Sequence, residues 1–373
     1  MDIQSTAKLP TLLSVQHDCR QGTVRAVRFN VVLLDLRMSA HFCGFDGNYC
    51  MTAGSDKSVK LWNPYKRIHL NTYRSGNEVL DCCGSSDNSL ILAGGRDKQP
   101  TIFDVETGKT LKRWRGHGGT VNAVAFNEDA SVAISAGQDG FVCLHDVRSR
   151  GPPFQVLDEA RDGVLCLDVN AYEIATGSAD GNVRRYDIRE GRLFVDFVKD
   201  PVTSVNLTAD NQCLLVATMG SGVIRLFEKC NGQLLASYKG HQNRDFRIEA
   251  GILASNNEVL TDFFAPRRSE ENYLRPRSGP QIDFFQPGRS LANMVNWTAE
   301  NRTSVERVCQ IFFLLLGSED GKVYIWDLVE STLIAKLEHP AGFKYVPSLS
   351  THPKDPCILT ASREKIFLWQ CPE

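Results

Sequence analysis

The sequence predicts an all-β chain that folds as a seven-bladed β-propeller, closed by an N-terminal strand and interrupted by two irregular inserts. Two observations predict this fold class. A segment made of a tight polar turn, an alternating strand and a final aromatic or histidine residue recurs seven times. The recurrences keep a nearly constant spacing, which is typical of repeats that bury their faces against one another.

The residues that end the repeated strand set the period of the chain. They are Trp62, Phe103, His145, Tyr186, Phe227, Trp326 and Trp369. Their successive gaps are 41, 42, 41, 41, 99 and 43 residues, so five of the six gaps agree within two residues. Several repeats also carry an earlier strand of the form Val-x-x-Val, as in "TVNAVAF" (120–126). A repeat of about 42 residues therefore holds four short strands.

This period and the Trp-Asp ending of "GSEDGKVYIWD" (317–327) are typical of WD40 repeats, which the chain resembles over nearly its whole length. Gly-His pairs at 116–117 and 240–241 match the start of such repeats. The last repeat ends at "FLWQCPE" (367–373), directly after its third strand. We therefore expect "TLLSV" (11–15) to supply the missing outer strand of the last blade and to close the ring.

Two segments break the period, so we predict one propeller domain over residues 1–373 with an insert at 31–44 in blade one and another at 262–316 in blade six. The longer insert has several Arg and Pro residues and little periodicity, a composition that indicates disorder. Two interpretations stay open: both inserts are retained introns, or the long one is a genuine recognition loop. The second strand of blade six is also open, because either "EVLTD" (258–262) or "QIFFLLL" (310–316) can form it.

Bulk composition narrows the functional classes. The formal net charge of -2 argues against direct nucleic-acid binding, and we expect neither a signal peptide nor a membrane span because the longest apolar run, 311–316, has six residues. The twelve cysteines are scattered without a CxxC pair, which favours reduced, structural thiols and no bound metal. We find no motif of a reaction centre, so we predict neither enzymatic activity nor a cofactor.

The acidic residues of the repeated turns are candidate site residues. They are Asp56, Asp97, Asp139, Asp180 and Asp320. In WD40 proteins such an Asp bonds the Gly-His imidazole of its own blade, so the resemblance implies that His117 serves Asp139 and that His241 serves Asp320. We predict a structural role for this turn network. Blades five and seven carry Ser221 and Glu364 instead, and we expect packing alone to hold them.

Several stretches resemble a narrower family, the mitogen-activated protein kinase organizer family of WD40 scaffolds. They include "GTVRAVRFN" (22–30), "DGNYCMTAGSDKSVKLWNPYK" (46–66) and "GSEDGKVYIWDLVE" (317–330). The resemblance implies a cytoplasmic, and also nuclear, non-catalytic adaptor for components of the extracellular-signal-regulated kinase (ERK) cascade. It further implies links to a hypoxia-pathway prolyl hydroxylase and to spliceosomal proteins, so the alternative function is that of a subunit of a pre-mRNA splicing complex.

Partner-binding residues are expected where the inner strands meet the mouth of the central channel. The residue after the first Val of an inner strand lies near this mouth, and there the chain places polar Arg25, Asn122 and Thr203. A solvated rim is the alternative interpretation of these side chains. We expect a monomer that binds proteins through this face.

Overall fold

A computed structural model describes residue 10 and residues 12–29, 48–208, 210–254, 312–343, 345–352 and 355–370. The described residues form strands and turns, and their order follows the predicted repeats. No helix among them is long and apolar enough to cross a membrane.

Seven four-stranded antiparallel sheets form the seven blades, as predicted. Blade one consists of β2 (Val24–Phe29), β3 (Cys50–Gly54), β4 (Ser58–Asn63) and β5 (Ile68–Arg74). Blade two consists of β6 (Val79–Gly84), β7 (Leu90–Gly95), β8 (Thr101–Asp104) and β9 (Thr110–Arg113). Blade three consists of β10 (Val121–Phe126), β11 (Val132–Gly137), β12 (Val142–Asp146) and β13 (Gln155–Leu157).

The remaining blades repeat this order of strands. Blade four consists of β14 (Val164–Val169), β15 (Glu173–Ser178), β16 (Asn182–Asp187) and β17 (Arg192–Phe197). Blade five consists of β18 (Val202–Leu207), β19 (Cys213–Thr218), β20 (Ile224–Glu228) and β21 (Leu234–Tyr238). Blade six consists of β22 (Ala250–Ala254), β23 (Phe312–Gly317), β24 (Lys322–Asp327) and β25 (Leu333–Glu338). Blade seven consists of β26 (Ser348–Thr351), β27 (Ile358–Ser362), β28 (Lys365–Gln370) and the N-terminal strand β1 (Leu12–Asp18).

The N-terminal strand β1 closes the ring. It pairs antiparallel with β28, from Leu12 opposite Gln370 to Asp18 opposite Lys365. This confirms the predicted closure, with a strand that extends three residues beyond Val15. Because the first strand completes the last blade, the two ends of the chain hold the ring together through one antiparallel ladder.

Each core cluster lies between two neighbouring blades. Between blades one and two, Val59 and Tyr73 pack with Ile91 and Phe103, and all four side chains are buried. Across the closing seam, Trp62 of blade one packs in one cluster with Leu368 of blade seven. Burying side chains of this size stabilises a fold by about 1.5–3 kcal/mol each, so the blades depend on their neighbours.

The structure shows which of the two candidate segments forms the second strand of blade six. Phe312–Gly317 forms β23 between β22 and β24, so "QIFFLLL" supplies this strand, while "EVLTD" lies outside the described residues. Leu314 and Leu315 are fully buried, one in each of the two core clusters that flank the blade. A strand buried on both faces reads as a continuous apolar run. The predicted insert boundary at 316 is therefore wrong, since residues 312–316 belong to the sheet; residues 262–311 and the insert 31–44 lie outside the described residues.

Candidate functional site

A β-bulge recurs at the start of five inner strands. The register shifts between Val24 and Ala26 in β2, and equivalent shifts occur in β6, β10, β14 and β18. The residue after the first Val is therefore the bulged one, and Arg25, Asn122 and Thr203 all occupy this position. A bulge re-aims a side chain relative to the regular ladder. We call the face on which the inner strands begin, near Arg25 and Asn122, the upper face.

The three predicted partner-binding residues differ in exposure. The side chain of Arg25 is 36% exposed, and its Nε donates to Glu78 Oε1 at 2.8 Å. Thr203 is fully buried, and its hydroxyl donates to the carbonyl oxygen of Ala217 at 3.3 Å. Thr203 cannot contact a partner at the surface, so its assignment to the partner-binding set is wrong: its hydroxyl is bonded inside blade five.

Asn122 is also held inside the ring. It is 8% exposed, and its amide donates to the carbonyl oxygen of Val164 at 2.8 Å and to Gln138 Oε1 at 3.1 Å. Its backbone carbonyl oxygen accepts a bond from Arg247 Nη1 at 2.6 Å. Asn122 therefore links blade three to blade four and to the chain that enters blade six. Of the three predicted residues, Arg25 alone presents an accessible side chain on the upper face.

An ion cluster crosses the central channel. Arg28 of blade one lies 2.7 Å from Asp81 of blade two and 2.8 Å from Glu249, which precedes blade six. Ser348 of blade seven donates to Glu249 at 2.7 Å. Burial raises the pKa of the Glu249 carboxyl, but the nearby Arg28 guanidinium outweighs it and the pKa lies below its usual value. The cluster joins four blades in a channel cavity of about 320 Å³, and sequence patterns did not reveal it.

Asp168 lines the same cavity but forms no ion pair with any other described residue. Its carboxylate accepts bonds from the backbone N–H groups of Val169 at 3.0 Å and of Leu207, in blade five, at 2.7 Å. Burial raises the pKa of Asp168 to about 6, although these two bonds act in the opposite direction. Asp168 therefore titrates nearer to neutral pH than an ordinary carboxyl group.

The loop before blade six presents an aromatic side chain on the upper face. Glu319 Oε1 accepts bonds from the N–H groups of Arg244, Asp245 and Phe246 at 2.7, 2.7 and 3.0 Å. Phe246 is 47% exposed and stacks on Tyr345, with ring centroids 4.8 Å apart. One carboxylate thus fixes three consecutive residues, which holds the exposed ring in place before any partner arrives.

Blade three contains the predicted turn network. His117 Nδ1 lies 3.1 Å from Asp139 Oδ1, and His117 Nε2 lies 2.9 Å from Ser135 Oγ. Asp139 also accepts a bond from the N–H of Gly118 at 2.7 Å. Burial raises the pKa of Asp139, but the His117 imidazole and these bonds lower it below its usual value. The network joins the loop before the blade to its second strand, so Asp139 acts as a structural acceptor.

Blade six lacks the predicted pair. Neither ring nitrogen of His241 has a hydrogen-bond partner among the described residues, and Asp320 accepts a bond from Tyr324 at 2.8 Å instead. The position equivalent to Ser135 is Leu316, which has no hydroxyl group to bond the imidazole. His241 therefore packs edge-on against Trp326 at 5.7 Å, and its predicted bond to Asp320 is wrong.

Blade seven was expected to be held by packing alone, and that expectation is also wrong. His339 Nε2 lies 2.7 Å from Thr360 Oγ1, which also accepts a bond from Trp369 Nε1 at 3.0 Å. His339 Nδ1 lies 2.9 Å from the carbonyl oxygen of Gly321. Sequence reasoning missed His339 because it is followed by Pro340 and is not preceded by Gly.

Other blades satisfy the same turn with different side chains. In blade one, Gln21 accepts a bond from Thr52 Oγ1 at 2.5 Å, and Asp56 accepts one from Ser58 Oγ at 2.7 Å. In blade two, Asp97 accepts a bond from Ser75 Oγ at 3.0 Å. In blade four, Asp180 lies 2.7 Å from the guanidinium of Arg184. In blade five, the hydroxyl oxygens of Thr218 and Ser221 lie 3.2 Å apart and form a hydrogen bond. The expectation that packing alone holds blade five is therefore wrong.

Among the described residues, no group of three or more His, Cys, Asp or Glu side chains is placed to hold a metal ion. The described cysteines are free thiols, most of them buried. Burial raises the pKa of the Cys82 thiol to about 12 and that of the Cys166 thiol to about 12, so both stay protonated at neutral pH.

Comparison with known proteins identifies the family. A family model described as "Nucleolar protein 10-like, N-terminal domain", a β-propeller, matches residues 46–267. WD repeat domain-containing protein 83 of Homo sapiens is 40% identical over 355 residues, which cover 95% of this chain and 90% of that protein. The protein of the same name from Danio rerio is 37% identical over 364 residues, which cover 97% and 93%. The chain therefore belongs to the family of WD repeat domain-containing protein 83 and is a WD-repeat β-propeller protein.

Proposed function

We propose that this protein is a non-catalytic scaffold that assembles components of the mitogen-activated protein kinase (ERK) cascade, in the cytoplasm and also in the nucleus. The resemblance of its repeats to the kinase organizer scaffolds supports this role, as does its membership of the family named above. A rigid ring whose faces carry loops between blades suits a protein that holds several partners at once.

The observation that carries the proposal is the fixed, exposed ring of Phe246 on the upper face. An aromatic side chain that is held in place loses little conformational freedom on binding, and aromatic residues dominate the binding energy of protein interfaces. Arg25, on the same face, adds a half-exposed cation, and arginine is the other residue enriched at such interfaces. Partners are therefore expected to dock on the upper face.

The test is retention of ERK-cascade kinases by the immobilised full chain. We expect Phe246→Ala combined with Arg25→Ala to lower retention by about tenfold or more, the loss of one or two interface anchors. The matched control is Phe154→Ala, because Phe154 is 59% exposed in the turn between β12 and β13, at the end of blade three opposite to the upper face. Equal retention by all variants would contradict the proposed surface. Retention of splicing proteins without kinases would instead favour the alternative role.

A further inference from the structure

A basic groove lies on the outer side of the ring, at the seam where blade seven meets blade one. It has a volume of about 900 Å³ and runs between the closing strand β1 and the outer half of blade one. Its lining carries five Lys or Arg side chains and two Asp side chains, a surplus of three positive charges with neutral histidines. The whole chain has a formal net charge of -2, so this local surplus is not a property of the surface in general.

Four of these five cations are exposed and have no ion-pair partner among the described residues. They are Arg20, Lys57, Arg67 and Arg74. The fifth, Lys60, is engaged: its ammonium donates to the carbonyl oxygen of Cys19 at 3.0 Å and lies 3.4 Å from Asp56. Unpaired cations gathered around one groove attract an anionic occupant and speed its encounter.

Beside the groove, one buried ring nitrogen lacks a hydrogen-bond partner among the described residues. His17 and His69 flank the indole of Trp62 edge-on, with ring centroids 4.5 and 4.8 Å away. Thr72 satisfies His69 Nε2 at 2.8 Å, whereas His17 Nε2 is buried and has no hydrogen-bond partner among the described residues. A buried, unsatisfied ring nitrogen costs free energy unless a ligand or water bonds to it.

One wall of the groove carries His17 and Asp18 of β1, the outer strand of a sheet. Among the described residues, the closing strand β1 is the end strand of blade seven and pairs with β28 alone. The free side of such a strand carries backbone N–H and C=O groups that an extended peptide can pair with, and a nucleic acid cannot. The unpaired cations favour an anionic ligand, and the backbone groups of the outer strand favour an extended peptide.

We propose that this seam groove binds an acidic, extended segment of a partner protein, which adds as a strand beside β1 and places its carboxylates against Arg20, Lys57 and Arg74. The segment spans both sides of the seam, so its binding also holds the closing strand in place. This docking site includes neither Arg25 nor Phe246 and does not depend on the identity of the kinases proposed above.

The first test is fluorescence anisotropy of the purified full chain with a labelled peptide of alternating Glu and Val, about ten residues long. We expect binding that weakens as salt rises, since the charges are exposed. We expect the reversal Arg20→Glu, Lys57→Glu, Arg74→Glu to weaken binding by about tenfold or more. Absence of binding at low salt, or tighter binding of a peptide of alternating Lys and Val, would overturn the proposal.

A matched variant separates the groove from net charge. Lys109→Glu, Arg115→Glu, Arg150→Glu changes three exposed cations of blades two and three by the same total charge, and should keep the affinity within about twofold. An equal loss in both variants would overturn the assignment. Thermal melts of both variants check that each is folded, and a control variant that melts like the parent validates the comparison.

Further binding and sedimentation measurements test whether the groove binds the peptide as a strand or binds RNA or a second copy of the chain instead. A peptide N-methylated at alternate residues keeps its charge but loses backbone donors, so we expect at least about tenfold weaker binding if it adds as a strand. Equal binding of the methylated peptide, or tighter binding of single-stranded RNA of similar length, overturns the strand-addition proposal. A dimer in sedimentation that the groove reversal dissociates would assign the groove to a second copy of the chain and equally overturn it.

Discussion

The guanidinium of Arg28 in blade one lies 2.8 Å from the carboxylate of Glu249, which enters blade six, so the pair joins two blades that are not neighbours in the ring. Asp81 of blade two completes the cluster at 2.7 Å. Outer parts of a propeller contact only adjacent blades, whereas a channel cluster can couple distant ones. The cluster therefore connects inner parts of the ring directly across the channel.

Replacement of Arg28 tests this coupling. Arg28→Ala leaves Asp81 without an ion-pair partner among the described residues and leaves Glu249 with Arg247, at 3.6 Å. Breaking a fully buried pair costs about 3–5 kcal/mol. A quarter of the Arg28 side chain faces the channel, so we expect a smaller loss of about 2–4 kcal/mol in the free energy of unfolding, measured with urea. The control Arg25→Ala removes a more exposed pair and should cost about 1 kcal/mol or less. If both variants lose the same free energy of unfolding, the channel cluster stabilises the ring no more than an exposed ion pair does.

Asp168 predicts a defined dependence of stability on pH. Its folded pKa of about 6 lies above the usual value for Asp, so the folded state binds the proton more tightly than the unfolded chain. Its contribution to stability is therefore fully present below about pH 4 and is lost as pH rises through about 6. In Asp168→Asn this dependence disappears. We expect the stability of the parent relative to the variant to fall by about 2–3 kcal/mol between pH 4 and pH 7.5, in urea unfolding at each pH. A difference that is constant across this range would contradict the burial of the carboxyl group as its cause.

Features that recur in every blade can be predicted from the sequence, whereas features that occur in one blade cannot. Trp62 and Trp326 lie near the ends of their strands because most blades place an aromatic side chain there, and the spacing of such residues predicts the ring. The bonding partners do not repeat. Gln21 takes the place of an imidazole in blade one, while Leu316 removes the partner that His241 needs in blade six. A hydrogen bond depends on both partners, and they come from different strands, so a motif that contains one of them does not reveal the other.

Contacts across the channel are harder still to predict. Arg28 and Glu249 are 221 residues apart, and neither belongs to a repeat motif. Their proximity follows from closure of the ring, which brings inner strands of distant blades around one axis. The exposed Phe246 is similar, since Glu319 fixes it only after blade six has folded.

The hydrogen-bond network of blade seven predicts that replacing Thr360 lowers the stability of the fold. Thr360→Val keeps the shape of the side chain but removes the oxygen that bonds His339 and Trp369. Two buried polar groups then lack a partner, which costs about 1–3 kcal/mol each. We expect a loss of about 2–4 kcal/mol in the free energy of unfolding. Thr110→Val, at an exposed position on β9, is the control and should change stability by less than about 0.5 kcal/mol. If both variants unfold alike, the bonds to Thr360 do not support the blade.

Closure by β1 predicts that the ring depends on its N-terminal strand. Deletion of residues 1–16 removes five of the seven residues of β1 and exposes the edge of β28, including the ladder partners Trp369 and Leu368. Blade seven then loses its outer strand, and the core that it shares with blade one opens to water. Because an open ring leaves two blades with one uncovered face each, we expect a melting temperature lower by about 10 °C or more in differential scanning calorimetry. Deletion of residues 1–9 leaves β1 intact and should melt like the parent chain. If the deletion of 1–16 melts at the same temperature as the full chain, the ladder between β1 and β28 does not hold the ring closed. The stability of the propeller would then come from the contacts between blades alone.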